Sequence, residues 1–253
     1  MESIATETIL MLLTAGFVAA FIDSTVGGGG LISLPTMLLI LPPNLALGTN
    51  KLAGTICSLT SSYSFFRSGK VTMELIRWLF WLSLAGSIAG AMVVQIIPSH
   101  FLRPLVVCML VIVAIYTVFK KEWGSESTYA GLNRRVMTIG ALVAASLGFY
   151  DGFFGPGMGS FLIFAFLFLG FDFVEASGNA KALNLASNIG ALGTFLIMDS
   201  VVYIYGLIMG VGMLIGAVVG SQVAIRKGTT YVRPLFLTVT SFMIGKQIWD
   251  LLR

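Results

Sequence analysis

The sequence predicts an all-α polytopic integral membrane protein, built as two inverted repeats of about five helical segments each, with broken or half-helices after glycine-rich motifs. Composition is the first of three observations behind this. Of 253 residues 57% are hydrophobic and 10% are charged, and mean hydropathy is +0.95, whereas a soluble domain carries about 25% charged residues. Such a chain cannot cover a water-soluble globule, so lipid must solvate most of its surface. The second observation is a succession of apolar runs separated by turn residues and charges. The third is a set of chemically distinctive residues that recurs at a fixed offset.

The opening MESIATETILML holds Glu2 and Glu7 but no Lys or Arg, so it lacks the positive start of a cleavable signal and the first apolar run is expected to stay. Helical segments are expected over 8–26, 29–42, 45–66, 74–97 and 101–120. After the polar stretch KKEWGSESTYAGLNRR they follow over 135–150, 156–171, 173–198, 202–225 and 232–252. This divides the chain into a first transmembrane repeat (1–120), a cytoplasmic connection (121–134) and a second repeat (135–253). Helices are required because backbone groups in hydrocarbon must be satisfied within their own segment, and about 20 residues span the core. The segments 29–42 and 156–171 are too short to cross comfortably. Both start at glycine-rich breaks, Gly27-Gly28-Gly29-Gly30 and Gly155-Pro156-Gly157-Met158-Gly159, which marks them as half-helices.

The recurrence is specific. Asp23 and Asp151, Gly27 and Gly155, and Asn44 and Asp172 are each 128 apart. After a two-residue shift Lys51 and Lys181, Gly86 and Gly216, Gly90 and Gly220, and Arg103-Pro104 and Arg233-Pro234 are each 130 apart. An internal duplication follows. Loop charge tests its sense. Arg67, Lys70 and Arg77 flank the loop after the third segment, but the corresponding loop near residue 200 has only Asp199, and the next carries Arg226, Lys227 and Arg233. The positive side switches between halves, as inverted copies require. Lys120, Lys121, Arg134 and Arg135 put the central connection inside, and both termini fall outside if every segment crosses. The net charge of +4 thus reads as topology and not as a nucleic-acid surface.

Asp23, Lys51, Asp151 and Lys181 lie in or beside apolar segments, where each costs about 2.5–3.5 kcal/mol at the centre of an isolated helix. They are expected to face a polar interior. Helices starting near Gly30 and Gly159 would aim unpaired N–H groups and partial positive charge at an anion. Thr49, Asn50 and Ser58 in one third segment, and Asn179, Asn184, Ser187 and Asn188 in the other, add polar groups. Lys181, Asn184 and Asn188 share one helix face. Blander readings stand beside these. The aspartates either cap the half-helices or pair with the lysines, and Gly86-x-x-x-Gly90 and Gly216-x-x-x-Gly220 fit close helix contact. Tyr150 is either a gate or a packing aromatic. Cys57 and Cys108 read as buried free thiols. The single histidine, His100, sits beside Pro98, and no nucleophile–base pair, metal cluster or phosphate loop argues for an enzyme.

Two motif pairs, AAFIDSTVGGGG with GTNKLAG and GFYDGFFGPGMGSF with NAKALNLASNIG, resemble the sulfite exporter TauE/SafE family, also called the toluene sulfonate uptake permease family. The match is nearest its bacterial "probable membrane transporter" branch and covers nearly the whole chain. The resemblance implies ATP-independent secondary transport of sulfur-containing or carboxylated small anions, such as sulfite, thiosulfate, sulfoacetate or taurine-related sulfonates, across a bacterial inner membrane. It implies functional roles for Asp23, Gly27, Gly28, Gly29, Gly30, Asn50, Lys51, Asp151, Gly155, Gly157, Gly159, Asn179 and Lys181. Pro156 and Met158 interrupt the second glycine run, so its N–H cradle is expected to be the less complete.

The expectation is therefore an alternating-access transporter without a cofactor. Gly27, Gly28, Gly29, Gly30, Thr49, Asn50, Lys51, Gly155, Gly157, Gly159, Asn179, Lys181, Asn184 and Asn188 would bind the anion, and Asp23 and Asp151 would couple it to H+ or a cation. Its partners would be the small anion, the coupling ion, the bilayer and, in one arrangement of the small-residue motifs, a second copy. A passive anion channel with re-entrant half-helices is the alternative.

Overall fold

The computed structural model describes residues 5–94, 126–232 and 234–239. The expected fifth segment, His100, Cys108, Lys120, Lys121, Arg103 and Arg233 lie outside them, as does most of the tenth segment. The described residues form helices and no strand: α1 (Thr6–Val26), α2 (Gly30–Leu38), α3 (Pro43–Arg67), α4 (Met73–Val93), α5 (Arg134–Phe153), α6 (Met158–Phe168), α7 (Phe173–Ile197) and α8 (Tyr203–Lys227), with further helical residues at 229–232 and 234–239. Four of these, α1, α4, α5 and α8, are long and apolar enough to cross a membrane. The chain is a multi-pass helical membrane protein.

Small residues set which helices touch. A Cβ at Gly212, Gly216 or Gly220 of α8 would overlap the carbonyls of Leu13, Phe17 and Phe21 of α1, so these two helices lie backbone against backbone and run parallel. α4 and α5 meet in the same way: Gly148 and Gly152 sit on Ser83 and Ser87, and Gly86 and Gly90 on Ala145 and Phe149. The glycine pairs thus join helices within one chain, where close approach gains dispersion that lipid cannot supply. α3 runs parallel to α8, with Gly206 against Thr49 and Leu52 and Gly210 against Ala53 and Ile56. α4 runs parallel to α7, since Ser83 and Ser87 donate to the carbonyls of Leu183 and Ser187. α3 and α7 are antiparallel, with Gly48 beside Phe195, Gly54 beside Asn188 and Gly178 beside Phe65.

Helices α1, α3 and α8 therefore point one way, and α4, α5 and α7 the other. Because α1 and α3 are parallel, α2 must come back toward the end from which α1 started. The same holds for α6 between α5 and α7, and a bond from the Thr128 N–H to the Gly170 carbonyl at 2.7 Å ties the end of α6 to the approach to α5. At 9 and 11 residues, about 14 and 17 Å at 1.5 Å per residue, α2 and α6 are too short to cross hydrocarbon about 30 Å thick. The parallel directions on either side of them exclude α1 with α2, or α5 with α6, as one straight broken helix; each pair is a hairpin.

The polar helices α3 and α7 occupy the middle, and α7 is buried over most of its length. Lipid-facing apolar side chains are carried by the surrounding helices, among them Trp78 and Trp81 of α4 and Leu207, Val211 and Leu214 of α8. Arg67, Lys70, Arg77, Arg134, Arg135, Arg226 and Lys227 all fall at the end where α3 and α8 finish and α4 and α5 begin, while Glu7 and Asp199 mark the other. This segregation is the sidedness signal that the loop charges carry.

Candidate functional site

Each hairpin breaks near the middle of the bundle. Gly27 and Gly28 take φ of +77° and +87°, and Gly155 and Gly157 take +94° and +83°, a region open to glycine and strained for other residues. The two breaks then cross. A Cβ on Gly27 would overlap the backbone of Gly159 and Ser160, and Gly30 packs against Pro156. The result is that the N-termini of α2 and α6 meet. Among the described residues the N–H groups of Gly28, Gly30, Gly157 and Gly159 donate to no backbone carbonyl.

The four buried charges pair across the halves. Lys51 Nζ lies 2.8 Å from Asp151 Oδ1, and Lys181 Nζ bonds Asp23 Oδ2. Each aspartate at the end of a hairpin's long helix is thus neutralised by a lysine of the other half's third segment. Asp151 Oδ2 also accepts from the Ser187 hydroxyl at 2.5 Å and the Asn184 amide at 3.4 Å. Asp23 Oδ1 accepts the Gly29 N–H at 3.1 Å, and the Cys57 thiol reaches its Oδ2 at 3.8 Å. Asn188 links the central helices: its Oδ1 accepts from Lys51 at 3.4 Å and its amide nitrogen donates to Ser58 Oγ at 3.3 Å.

These groups surround a cavity of about 50 Å³. One water needs roughly 10–15 Å³ by this measure, so the space suits a few waters or one compact ion. Of the residues expected to hold an anion, Gly28, Gly29, Gly30, Asn50, Lys51, Gly155, Gly157, Gly159, Asn184 and Asn188 line it, together with both aspartates. Ala19, Ala20, Phe154, Met158 and Met213 form its apolar wall. Tyr150, Phe161, Leu162 and Phe166 are buried in the larger apolar cluster and do not line the cavity.

Five expected residues sit elsewhere. Gly27 is in the crossing itself. Lys181, fully buried, stands behind Asp23. Thr49 Oγ1 accepts the N–H of Val202 at 2.9 Å, and Asn179 Oδ1 accepts that of Thr72 at 2.8 Å. Val202 and Thr72 are the N-cap residues of α8 and α4, so this equivalent pair satisfies helix-start donors of the opposite half. Tyr150 donates to the Pro156 carbonyl at 2.6 Å and holds the second break in shape. Cys57, which by sequence reads only as a buried thiol, lines the cavity beside Asp23. A signal that would find it is in the sequence, because Cys57 is 130 residues before Ser187, the offset that also separates Lys51 from Lys181.

A helical bundle in which two short hairpins meet at a buried, charge-paired cavity defines a class of polytopic membrane protein. The chain belongs to a family within that class: the family model described as "Sulfite exporter TauE/SafE" matches residues 12–246. It is 38% identical over 242 residues to a "Probable membrane transporter protein ORF9" of Sinorhizobium, covering 95% of this chain and 92% of the relative. It is 35% identical over 250 residues to a "Probable membrane transporter protein" of Haemophilus influenzae, covering 98% and 97%. A third relative, "Probable membrane transporter protein YfcA" of Escherichia coli K12, is 34% identical over 244 residues, covering 95% and 89%. No solved structure matches.

Proposed function

We propose that this chain is a secondary active transporter of small anions, working by alternating access in a bacterial inner membrane, with its basic end in the cytoplasm and with H+ or a cation as coupling ion. The names of its relatives support transport, and the observation that carries the anion is the meeting of two half-helix N-termini in one cavity, each offering unpaired N–H groups and the positive end of a dipole. Inverted repeats are supported by helix direction: α1, α3 and α8 oppose their counterparts α5, α7 and α4. Further support comes from the two cross-half ion pairs and the two cross-half caps, each of which maps onto its partner when the halves are exchanged.

The charges suggest how coupling works. In the charge-paired state both lysines are neutralised, so the cavity has little net attraction for an anion. A proton on one carboxylate would leave its lysine uncompensated, and an entering anion would restore neutrality. Proton and anion then each favour the other's binding, a reciprocal coupling. The cross-half pairing of both lysines with aspartates favours this over a passive channel, whose conduction would not need a titrating partner for each cation. The resemblance points to sulfite, thiosulfate, sulfonates or small carboxylates as cargo.

A thermal-shift screen of the purified protein against sulfite, thiosulfate, isethionate, sulfoacetate, succinate and chloride tests the anion site. The expected result is stabilisation by at least one, about 2.7 kcal/mol at a hundred times its dissociation constant, larger at acid than at alkaline pH. No stabilisation by any of them at either pH counts against the reading.

A further inference from the structure

The two aspartates hold equivalent places, yet their surroundings differ. Asp151 is gripped by Lys51, the Ser187 hydroxyl and the Asn184 amide, and its side chain is 4% exposed. Asp23 has Lys181 and the Gly29 N–H, but Cys57 stands where the second half has Ser187, and Gly54 where it has Asn184, in each case 130 residues earlier. A thiol is a weak donor, and 3.8 Å is a long reach. Asp23 is also 17% exposed and borders the cavity. Donors hold a carboxylate in its charged form, whereas contact with water gives a proton its route in.

Resting on the transport reading above, we infer that Asp23 alone exchanges the coupling proton with the cavity, that Asp151 stays ionised as the fixed partner of Lys51, and that Cys57 sets this division as a positioning residue by withholding the hydroxyl its counterpart supplies. Lys181 of α7 and Cys57 of α3 face Asp23 directly, and the Lys51–Asp151 pair of α3 and α5 lies across the cavity. Among the described residues α2, α6 and α8 turn no titratable side chain into this space. The two acids are thus chemically unlike at two equivalent places, a thiol for a hydroxyl and a glycine for an amide, and of these only Cys57 keeps a side chain against Asp23.

Infrared difference spectroscopy of the protein in bilayers, titrated from neutral to acid pH without any cargo, reads carboxyl protonation directly. Read as the difference between each variant and the unaltered protein, so that the other carboxyls among the 11 Asp and Glu cancel, the expected result is one protonated-carboxyl carbonyl band that is missing in Asp23→Asn and retained in Asp151→Asn. The amide in Asp23→Asn keeps an oxygen for Lys181, so that variant is expected to remain assembled. In Cys57→Ser the same band is expected to titrate about one pH unit further to the acid side, roughly the worth of one added hydrogen bond to a carboxylate. A band that survives Asp23→Asn, or is lost in Asp151→Asn, or does not move in Cys57→Ser, overturns the assignment. Should Asp151→Asn fail to fold, the Cys57→Ser titration decides alone. Because no anion is present, a failure here is separable from a failure of the anion site in the thermal-shift screen.

Discussion

Replacing Asp23 by Ala is expected to lower the stability of the folded chain by about 3–5 kcal/mol, the usual cost of leaving a buried charge without its partner. The size follows from where Lys181 sits: it is wholly buried, and among the described residues Asp23 is its ion-pair partner. Asp23→Asn is expected to cost less, because an amide oxygen still accepts from the ammonium. Asp23→Ala combined with Lys181→Met removes both charges and is expected to recover most of the loss, since an apolar pair of similar volume is often neutral where an ion pair stood. Thermal midpoints of the four proteins in lipid nanodiscs check this. A single Asp23→Ala variant as stable as the unaltered chain, or a double variant worse than the single, would remove the ion pair from the account of stability.

The second large effect is expected at the crossing of the hairpins. Gly27→Ala puts a Cβ into the backbone of Gly159 and Ser160 at a φ of +77°. Overpacking typically costs 1–3 kcal/mol and this positive-φ, extended-ψ backbone, essentially confined to glycine, about 1–3 more, so a loss of about 2–6 kcal/mol is expected, with the two N-termini pushed apart and anion stabilisation lost along with it. Gly193→Ala is the control. A Cβ there meets nothing within 4 Å, and Gly193 lies inside α7, so Ala is expected to be neutral or to stabilise by up to about 1 kcal/mol. Equal tolerance of the two substitutions would mean that the crossing does not depend on glycine at position 27.

Much of this architecture is readable from residues alone, for a physical reason. Charges, glycine clusters and prolines are costly in hydrocarbon, so Asp23, Lys51, Asp151, Lys181 and the two broken runs stand out against an apolar background. Helix lengths follow from the bilayer, which is why α2 and α6 emerge as half-helices where the sequence is broken. What stays hidden is which groups meet across the halves. Spacing puts Lys181 on a face with Asn184 and Asn188, but only the placement of α1 beside α7 turns Lys181 to Asp23 and not to the cavity. Thr49 and Asn179 show the same limit. Their polarity is visible in the sequence, yet the start of a helix in the opposite half takes their oxygens. The hairpin form of the short segments also needs the parallel directions of α1 and α3, set by the glycine contacts of α8 with both helices. Cys57 is legible only by laying one repeat over the other.

The most direct test of the central claim, one anion site shared by two hairpin tips and worked by a proton, is flux in sealed vesicles. Purified protein reconstituted with an imposed pH gradient is expected to accumulate the anion that stabilises it above its outside concentration, with saturation at low millimolar levels or below, and to stop doing so when the gradient is collapsed. Flux that only equalises concentrations, rises without saturation and ignores the pH gradient would contradict the account and favour a passive pore.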